Sequence, residues 1–393
     1  MTALLDIVNF NADASCLASA DWLSAISGGT NSVFCRWLRL YVEQNKKMSL
    51  GLTGATVADL AIHNPEALRV IGEHPDVFEI ILRPFSHDIA LLRSRVGFEL
   101  NFKLGRKVLE GEFRAVTPFF LPPEFMLTNA QLAQLADFGV QGVFINAERF
   151  KPEVKRCLPD TPYLIRGLFG KRLPCIPLQG RITRSYLHAL QRYDAEEWNR
   201  ALERSGPELC ATWRDGESFL LLPDGLEREA QWLSTERGIE RRFVRDQLAS
   251  VTFEHEFAPS TIDSYPVHSF SSWVKEFRMY GYLTRLHEIE RQLGQLTDDQ
   301  LLLWLQAINS DVLSAVEKDS PIVRIHPEFG SSELVDWTIQ RSARGFEGEE
   351  FLSLVEREAG DPSVADFLAT DASPHMRKLR ARTKYFKSKG LRA

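Results

Sequence analysis

The sequence predicts an α/β fold, with a parallel barrel followed by a helical region. Short apolar runs of strand length alternate with longer amphipathic stretches over the first half of the chain. This alternation is typical of βαβ units, in which a helix links two parallel strands. Seven such strand candidates within roughly 220 residues favour a closed or nearly closed barrel over a small doubly wound sheet.

Composition places the chain among ordinary globular proteins. Its 393 residues are 44% hydrophobic and 25% charged, so a sizeable core is expected and a mainly disordered chain is excluded. The formal net charge of −6 argues against a protein that coats nucleic acid. The length suggests more than one domain.

The strand and helix candidates follow one another along the first half. The predicted strands span residues 4–10, 48–52, 78–82, 118–121, 142–146, 163–168 and 209–213. Amphipathic spacing predicts helices such as 33–44, 57–74 and 129–138 between them.

From about residue 226 the pattern becomes helical. Apolar residues recur at three- and four-residue spacing over 226–243, 271–293 and 298–316, which predicts three helices. We therefore expect a barrel domain over residues 1–225, a helical domain over 226–330 packed on the barrel, and a charged C-terminal segment over 331–393.

The end of the chain is strongly basic. Residues 376–393 contain eight Lys and Arg and no acidic residue. A solvated, frayed end is the usual fate of such a run, and we expect its removal to leave folding unchanged. The alternative is that this basic tail contacts an anionic partner, in which case binding weakens with salt.

Cysteine usage and the N-terminus favour a cytoplasmic protein. The five cysteines are scattered and form no Cys-x-x-Cys pair, which favours a reducing compartment over a disulfide framework or a zinc ribbon. The N-terminus lacks the basic region and apolar run of a signal peptide, and no membrane-spanning stretch of about 18 apolar residues is present.

Polar residues at strand ends are the candidate functional residues, because parallel barrels carry their reactive groups at the C-terminal ends of their strands. Glu124 follows the fourth strand behind Pro122 and Pro123, which stiffen its approach. Asp215 directly follows the last strand. Two carboxylates on two strands of one barrel are the pair that cleavage of a glycosidic bond requires.

In their order along the chain, these motifs resemble glycoside hydrolase family 57, whose members are retaining enzymes on an incomplete (β/α)7 barrel and act mostly on α-glucans. The resemblance runs over about residues 4–315, and it extends to the wider group of barrels shared with polysaccharide deacetylases and α-mannosidases. The Pro-Glu motif of the family ends at Glu124, and its Asp-Gly-Glu motif begins at Asp215. The resemblance therefore implies that Glu124 is the nucleophile and Asp215 the general acid/base.

The other motifs match less closely. The first motif falls on residues 9–11, where Asn replaces its usual His. The second falls on Phe78 and Glu79 and is followed by His87, and the helical fifth motif falls on residues 306–311 with one extra residue inside it. The fourth motif lacks its usual aromatic-glycine ending. We expect the remaining candidates to bind the carbohydrate or tune the two carboxylates: Asn11, Asp13, Glu79, His87, Asn146, Trp213, Glu217 and Asp311.

Two alternatives stay open. One is a metal-dependent carbohydrate deacetylase, in which His87 and Asp13 would help to hold Zn²⁺. The other is an altered member that binds a polysaccharide without the turnover typical of the family. Asn11 is a poor zinc ligand and no His-x3-His pair lies nearby, so we expect no metal and no cofactor.

Overall fold

A computed structural model describes most of the barrel and parts of the region that follows it. The described residues are 2–10, 29, 31–146, 161–178, 195–205, 209–216, 225–248, 253–258, 261–262, 277–310, 351–358, 361–369 and 382–390.

A parallel sheet forms the centre of the molecule. The described strands are β1 (Thr2–Phe10), β2 (Met48–Leu52), β3 (Phe78–Leu82), β4 (Val116–Phe120), β5 (Leu127–Thr128), β6 (Gly142–Asn146), β7 (Tyr163–Arg166), β8 (Arg172–Leu178), β9 (Leu209–Asp215), β10 (Ile239–Arg241), β11 (Glu256–Phe257) and β12 (Thr261–Ile262). Seven of them pair in parallel in the order β9-β1-β2-β3-β4-β6-β8, and β10 also pairs with the start of β1. In the described part of the chain, β8 and β9 are not hydrogen-bonded to each other. The prediction of an incomplete parallel barrel is therefore confirmed, and the sheet is open between these two strands.

The seventh strand of the barrel is not the one that the sequence predicts. The predicted strand at 163–168 is β7, which pairs antiparallel with β8 as one arm of a hairpin. The barrel strand is β8, which the sequence analysis misses. Pro174 and Pro177 lie within β8. Each proline lacks an N–H donor, so the segment does not read as a sheet interior.

Helices cover the outside of the sheet. The described helices are α1 (Val33–Glu43), α2 (Gly54–His63), α3 (Pro65–Glu73), α4 (Arg95–Glu112), α5 (Asn129–Asp137), α6 (Ala195–Ser205), α7 (Gly225–Thr235), α8 (Val244–Leu248), α9 (Phe277–Glu290), α10 (Asp298–Ala307) and a further helix over Pro362–Ala369. Residues 351–355 and 382–388 are also helical. In the part of the chain that the structure describes, no helix is long and apolar enough to cross a membrane.

Two predicted helices are corrected by the structure. The prediction of one helix over 57–74 is wrong, because the chain breaks at Asn64 into α2 and α3. Asn64 caps α3 by accepting a hydrogen bond from the Ala67 amide, and Pro65 occupies the first turn, where a missing N–H costs nothing. The helix predicted over 226–243 ends at Thr235, and residues 239–241 form β10 instead.

The inside of the barrel is apolar up to its C-terminal end. Leu5, Ile7, Ile81, Phe119 and Phe144 belong to one buried cluster. Side chains two residues apart on a strand point in the same direction. The next inward positions are therefore polar at several strand ends, and they include Asn9, Arg83, Asn146 and Asp215.

The basic end of the chain is docked against the molecule. Arg382 is 5% exposed and donates to both carboxylate oxygens of Asp59 at 2.7 Å and to the side-chain oxygen of Gln306 at 2.7 Å. The ring of Phe386, which is fully buried, meets that of Phe85 edge-on with centroids 5.3 Å apart. The expectation of a solvated, frayed end is thus wrong for residues 382–386. The domain boundaries at 225 and 330 stay a prediction.

Candidate active site

Asp215 lies at the C-terminal end of the barrel, beside Asn9 on the neighbouring strand. The two residues face each other in the register of β9 and β1. Asn9 Nδ2 donates a hydrogen bond to Asp215 Oδ1 at 3.0 Å. Gly51, opposite Asn9 on β2, has no side chain; an added Cβ would lie 2.9 Å from the side chain of Leu121 and 3.7 Å from Asn9 Oδ1. The missing side chain therefore keeps this end of the barrel open around Asn9.

Glu124 lies on a strained turn directly after β4. Glu124 and Phe125 have φ angles of 51° and 53°, and both are in the left-handed region that non-glycine residues avoid. The Phe125 amide closes the turn by donating to the Pro122 carbonyl at 3.1 Å, and the Phe125 ring packs 5.0 Å from the Trp213 ring. Strain at two consecutive residues costs on the order of 1–3 kcal/mol each, and such strain clusters at functional sites.

His87 and Ser310 lie next to the carboxylate of Glu124. Nε2 of His87 lies 3.5 Å from Glu124 Oε1, and the Ser310 hydroxyl donates to the same oxygen at 3.4 Å. The Ser310 amide donates to the His87 carbonyl at 2.7 Å, which ties these two residues together. The nucleophile candidate therefore accepts a hydrogen bond from the turn after α10 and lies beside the imidazole of the loop after β3.

Arg83 also belongs to the candidate site, although it is not among the residues predicted from the sequence. It follows β3 by one residue, is 2% exposed, and donates from Nη1 to the Leu121 carbonyl at 3.1 Å. Its Nη2 lies 3.5 Å from Nδ1 of His87. The alternation of β3 contains the signal, because Arg83 lies two residues after the inward-facing Ile81.

The environment of Asp215 raises its pKa above the ordinary value of an aspartate. Withdrawal of the carboxyl group from water is the largest cause, and the negative charge of Glu124 adds to it. The hydrogen bond from Asn9 and the fields of His87 and Arg83 act in the opposite direction. The net shift favours the protonated form, which is the form that a general acid needs.

Glu79 is not brought together with Glu124 and Asp215. It is the second residue of β3, at the end of the barrel opposite to these carboxylates. Its fully buried carboxylate accepts hydrogen bonds from the Ser49 hydroxyl at 2.9 Å and from the amides of Val244 and Arg245 at 2.8 and 3.0 Å. Glu79 thus closes the bottom of the barrel by capping α8.

The remaining predicted residues divide into two groups. Asn146 ends β6 on the inward face, and Trp213 lies half-buried against Phe125, so both belong to the same end of the barrel as Asp215. The other four lie outside the described residues, and their predicted roles stay predictions: Asn11, Asp13, Glu217 and Asp311.

Metal binding at this end of the barrel has little support in the described part of the chain. Within it, no three His, Cys, Asp or Glu side chains are grouped closely enough to hold a metal ion. Nε2 of His87 faces Glu124. Because Asp13 is not described, the expected absence of zinc remains a prediction.

The architecture defines a class of protein: an incomplete parallel barrel with two carboxylates from different strands at its C-terminal end. Comparison with solved structures is more particular, because the chain has the fold of the glycoside hydrolase family 57 enzymes. No protein-family model matches the sequence, and no curated protein sequence is similar enough to match it.

Three solved structures illustrate the likeness. The branching enzyme from Pyrococcus horikoshii superposes with a TM-score of 0.67 at 11% identity, covering 98% of this chain and 95% of that enzyme. The branching enzyme from Thermococcus kodakaraensis gives 0.65 at 11% identity with the same coverage. The 4-alpha-glucanotransferase from Thermococcus litoralis gives 0.63 at 12% identity; 79% of this chain is covered, and the chain spans 56% of that enzyme.

Proposed function

We propose that the chain is a retaining glycoside hydrolase or transglycosidase that acts on α-linked glucans. The observation that carries the proposal is the contrast between its two carboxylates. Asp215 has a raised pKa and accepts a hydrogen bond from Asn9. Glu124, in contrast, lies on a strained turn, accepts a hydrogen bond from Ser310 and is close to His87. Environments that separate two carboxylates in this way divide them into an acid and a nucleophile.

The reaction then takes two steps. Glu124 attacks the anomeric carbon while Asp215 gives its proton to the departing glycosidic oxygen, which leaves a glycosyl ester on Glu124. Asp215, now a carboxylate, removes a proton from water or from a sugar hydroxyl, which attacks the same carbon and frees Glu124. Water as acceptor gives hydrolysis, and a sugar hydroxyl gives transfer.

The substrate class is drawn from the structural neighbours. They are named as branching enzymes, a 4-alpha-glucanotransferase and an alpha-amylase. We extend α-glucans to this chain because the fold and the position of the two carboxylates agree with a site for glycosidic bonds. A cytoplasmic location fits such a substrate and likewise stays a prediction.

The test is turnover of amylose and malto-oligosaccharides, followed by reducing-end release and by the distribution of chain lengths. Hydrolysis increases reducing ends, whereas transfer changes chain lengths alone. We expect Glu124→Gln and Asp215→Asn to lower the rate by about 10²–10⁴-fold each, because each removes a group that makes or breaks a bond. Glu110→Gln, which alters an exposed ion pair on α4, is the matched control and should leave the rate unchanged.

Stereochemistry tests the mechanism separately. Proton NMR of the first product should show the α-anomer, and azide should restore part of the activity of the two site variants by acting as an external nucleophile. An inverted product would exclude the double displacement. Release of acetate from an acetylated sugar, abolished by a chelator, would replace the proposal with the deacetylase alternative.

A further inference from the structure

Arg83, His87 and Glu124 form a line of polar groups at the end of the barrel. Arg83 Nη2 lies 3.5 Å from Nδ1 of His87, and Nε2 of His87 lies 3.5 Å from Glu124 Oε1. The first separation is a long hydrogen bond, whereas the second is a close approach that has to shorten before a hydrogen bond forms. The two nitrogens of one imidazole thus face a permanent donor on one side and a carboxylate acceptor on the other.

The chemistry of arginine decides where the proton of His87 lies. A guanidinium group only donates hydrogen bonds and remains charged in proteins. A proton on Nδ1 would set two donors against each other, whereas an unprotonated Nδ1 accepts from Arg83. In a neutral imidazole the proton is then on Nε2, the nitrogen that faces Glu124.

We propose that Arg83 fixes His87 in its Nε2–H tautomer, so that His87 donates a hydrogen bond to the attacking carboxylate of Glu124. Arg83 is thereby a positioning residue, and it acts through His87. The role of Glu124 as nucleophile rests on the function proposed above, but the tautomer itself does not. The donated bond stabilises the charged carboxylate and fixes the direction in which it points.

The surroundings hold each member of the line in place. The loop between Arg83 and His87 is bonded to two helices: the Ser86 amide donates to Asn101 Oδ1 of α4 at 2.8 Å, and the Ala55 amide of α2 donates to the Phe85 carbonyl at 2.8 Å. Arg83 is anchored on the Leu121 carbonyl. The backbone of the loop is therefore fixed, and Arg83 cannot turn away without losing a buried hydrogen bond.

The test is the protonation pattern of His87 in long-range proton–nitrogen NMR spectra of protein labelled with ¹⁵N-histidine. His87→Gln identifies the signal among those of the nine histidines. Near neutral pH we expect the Nε2–H pattern in the unmodified protein and in Arg83→Lys, which keeps a cationic donor. Arg83→Met removes the donor and should give mixed tautomers. Arg106→Gln, which removes a half-buried arginine of α4 from outside the line, should leave the His87 signal unchanged.

Kinetics add a second readout. We expect Arg83→Met to lower kcat by about 10- to 100-fold with little change in KM, because it weakens a charge-assisted bond in the reacting complex rather than glucan binding. An Nδ1–H pattern in the unmodified protein, or an unchanged signal in Arg83→Met, would overturn the proposal. If Arg83→Met does not fold, the unmodified protein and Arg83→Lys still decide it. If the protein shows the Nε2–H pattern but has no activity on glucans, the proposed function is wrong and the proposed tautomer of His87 is still supported.

Discussion

At the scale of single residues, the two carboxylates have neighbours from different elements. Asp215 accepts a hydrogen bond from Asn9 on the adjacent strand of the sheet. Glu124 lies on a turn whose strained backbone directs it toward His87 and Ser310. The balance between the proposed acid and the proposed nucleophile is therefore adjustable through the neighbours without altering either carboxylate.

The hydrogen bond from Asn9 should set the upper pH limit of activity. It stabilises the ionised form of Asp215, so its loss in Asn9→Ala raises the pKa of a carboxyl that is already raised. A general acid works while protonated, and the rate falls as pH rises through its pKa. We therefore expect the descending limb of the kcat/KM profile to move to higher pH. Asn146→Ala, at the end of another strand, is the control, and an equal shift in it would remove the specific role of Asn9.

Zinc should be absent from the purified protein. Among the described residues, His87 is turned toward Arg83 and Glu124 and no group of metal ligands surrounds it. Metal analysis by mass spectrometry, before and after incubation with zinc and dialysis, measures this directly. One tightly held ion per chain that is lost in His87→Gln would reverse our reading of the site.

Sequence alone predicts only part of the polar residues near the strand ends. Glu124, Asp215 and His87 are found because each is a polar residue within five positions of the end of a predicted strand. Arg83 is missed because an arginine inside a barrel is not expected from its residue type. Glu79 is assigned to the site although it lies at the other end of its strand, because the two ends of a short strand of five residues look alike in sequence.

At the scale of elements, local sequence patterns predict most strands. They fail where the pairing partner of a strand determines whether it belongs to the barrel. β2, β3 and β6 have the predicted bounds. β8 is missed because its two prolines break the strand pattern, and β7 takes its place in the prediction because an apolar run does not reveal its pairing partner. Pro65 ends α2 before the amphipathic pattern does.

Gly105 on α4 should be essential for the loop that carries Arg83 and His87. A Cβ at this position would lie 2.3 Å from the Pro84 carbonyl carbon and 2.5 Å from the Arg83 carbonyl oxygen, and backbone atoms cannot move aside as a side chain does. Gly105→Ala should therefore lower the free energy of unfolding by about 1–3 kcal/mol or more.

Gly111 provides a matched control on the same helix. Nothing lies within 4 Å of a Cβ added there, so Gly111→Ala should stabilise the protein by about 0.5–1 kcal/mol through helix propensity. Urea unfolding of both variants measures the difference. Equal effects of the two substitutions would mean that α4 does not pack tightly on the loop in solution.

At the scale of the whole molecule, the basic tail shows that a charge pattern does not reveal which distant residues a charged segment contacts. A run of basic residues predicts solvent exposure unless acidic partners are known, and here they come from three distant helices. Asp59 belongs to α2, Glu112 to α4 and Asp299 to α10. No local feature of the sequence connects these carboxylates with residues 382–389, so the docking of this segment was not predictable.

Loss of Arg382 should destabilise the fold strongly. Arg382→Met leaves the Asp59 carboxylate buried without its bidentate partner, which typically costs about 3–5 kcal/mol. Lys387→Met breaks the ion pair between the exposed Lys387 and the half-buried Asp299, and it should cost clearly less than Arg382→Met, about 1 kcal/mol. Urea unfolding measures both. An Arg382→Met protein as stable as the unmodified one would show that the tail is solvated after all.

The pairing of Asp59 with Arg382 also has a consequence in time. The two residues are separated by 323 positions, so a ribosome working at roughly 5–20 residues per second needs about 15–65 s between them. Throughout that interval, the growing chain contains an acidic side chain in a position that later becomes interior, without its counter-charge. The Phe85 ring likewise lacks its edge-on contact until Phe386 has been made. The contacts of Arg382 with Asp59 and of Phe386 with Phe85 therefore form only after this interval, when most of the barrel has already been made.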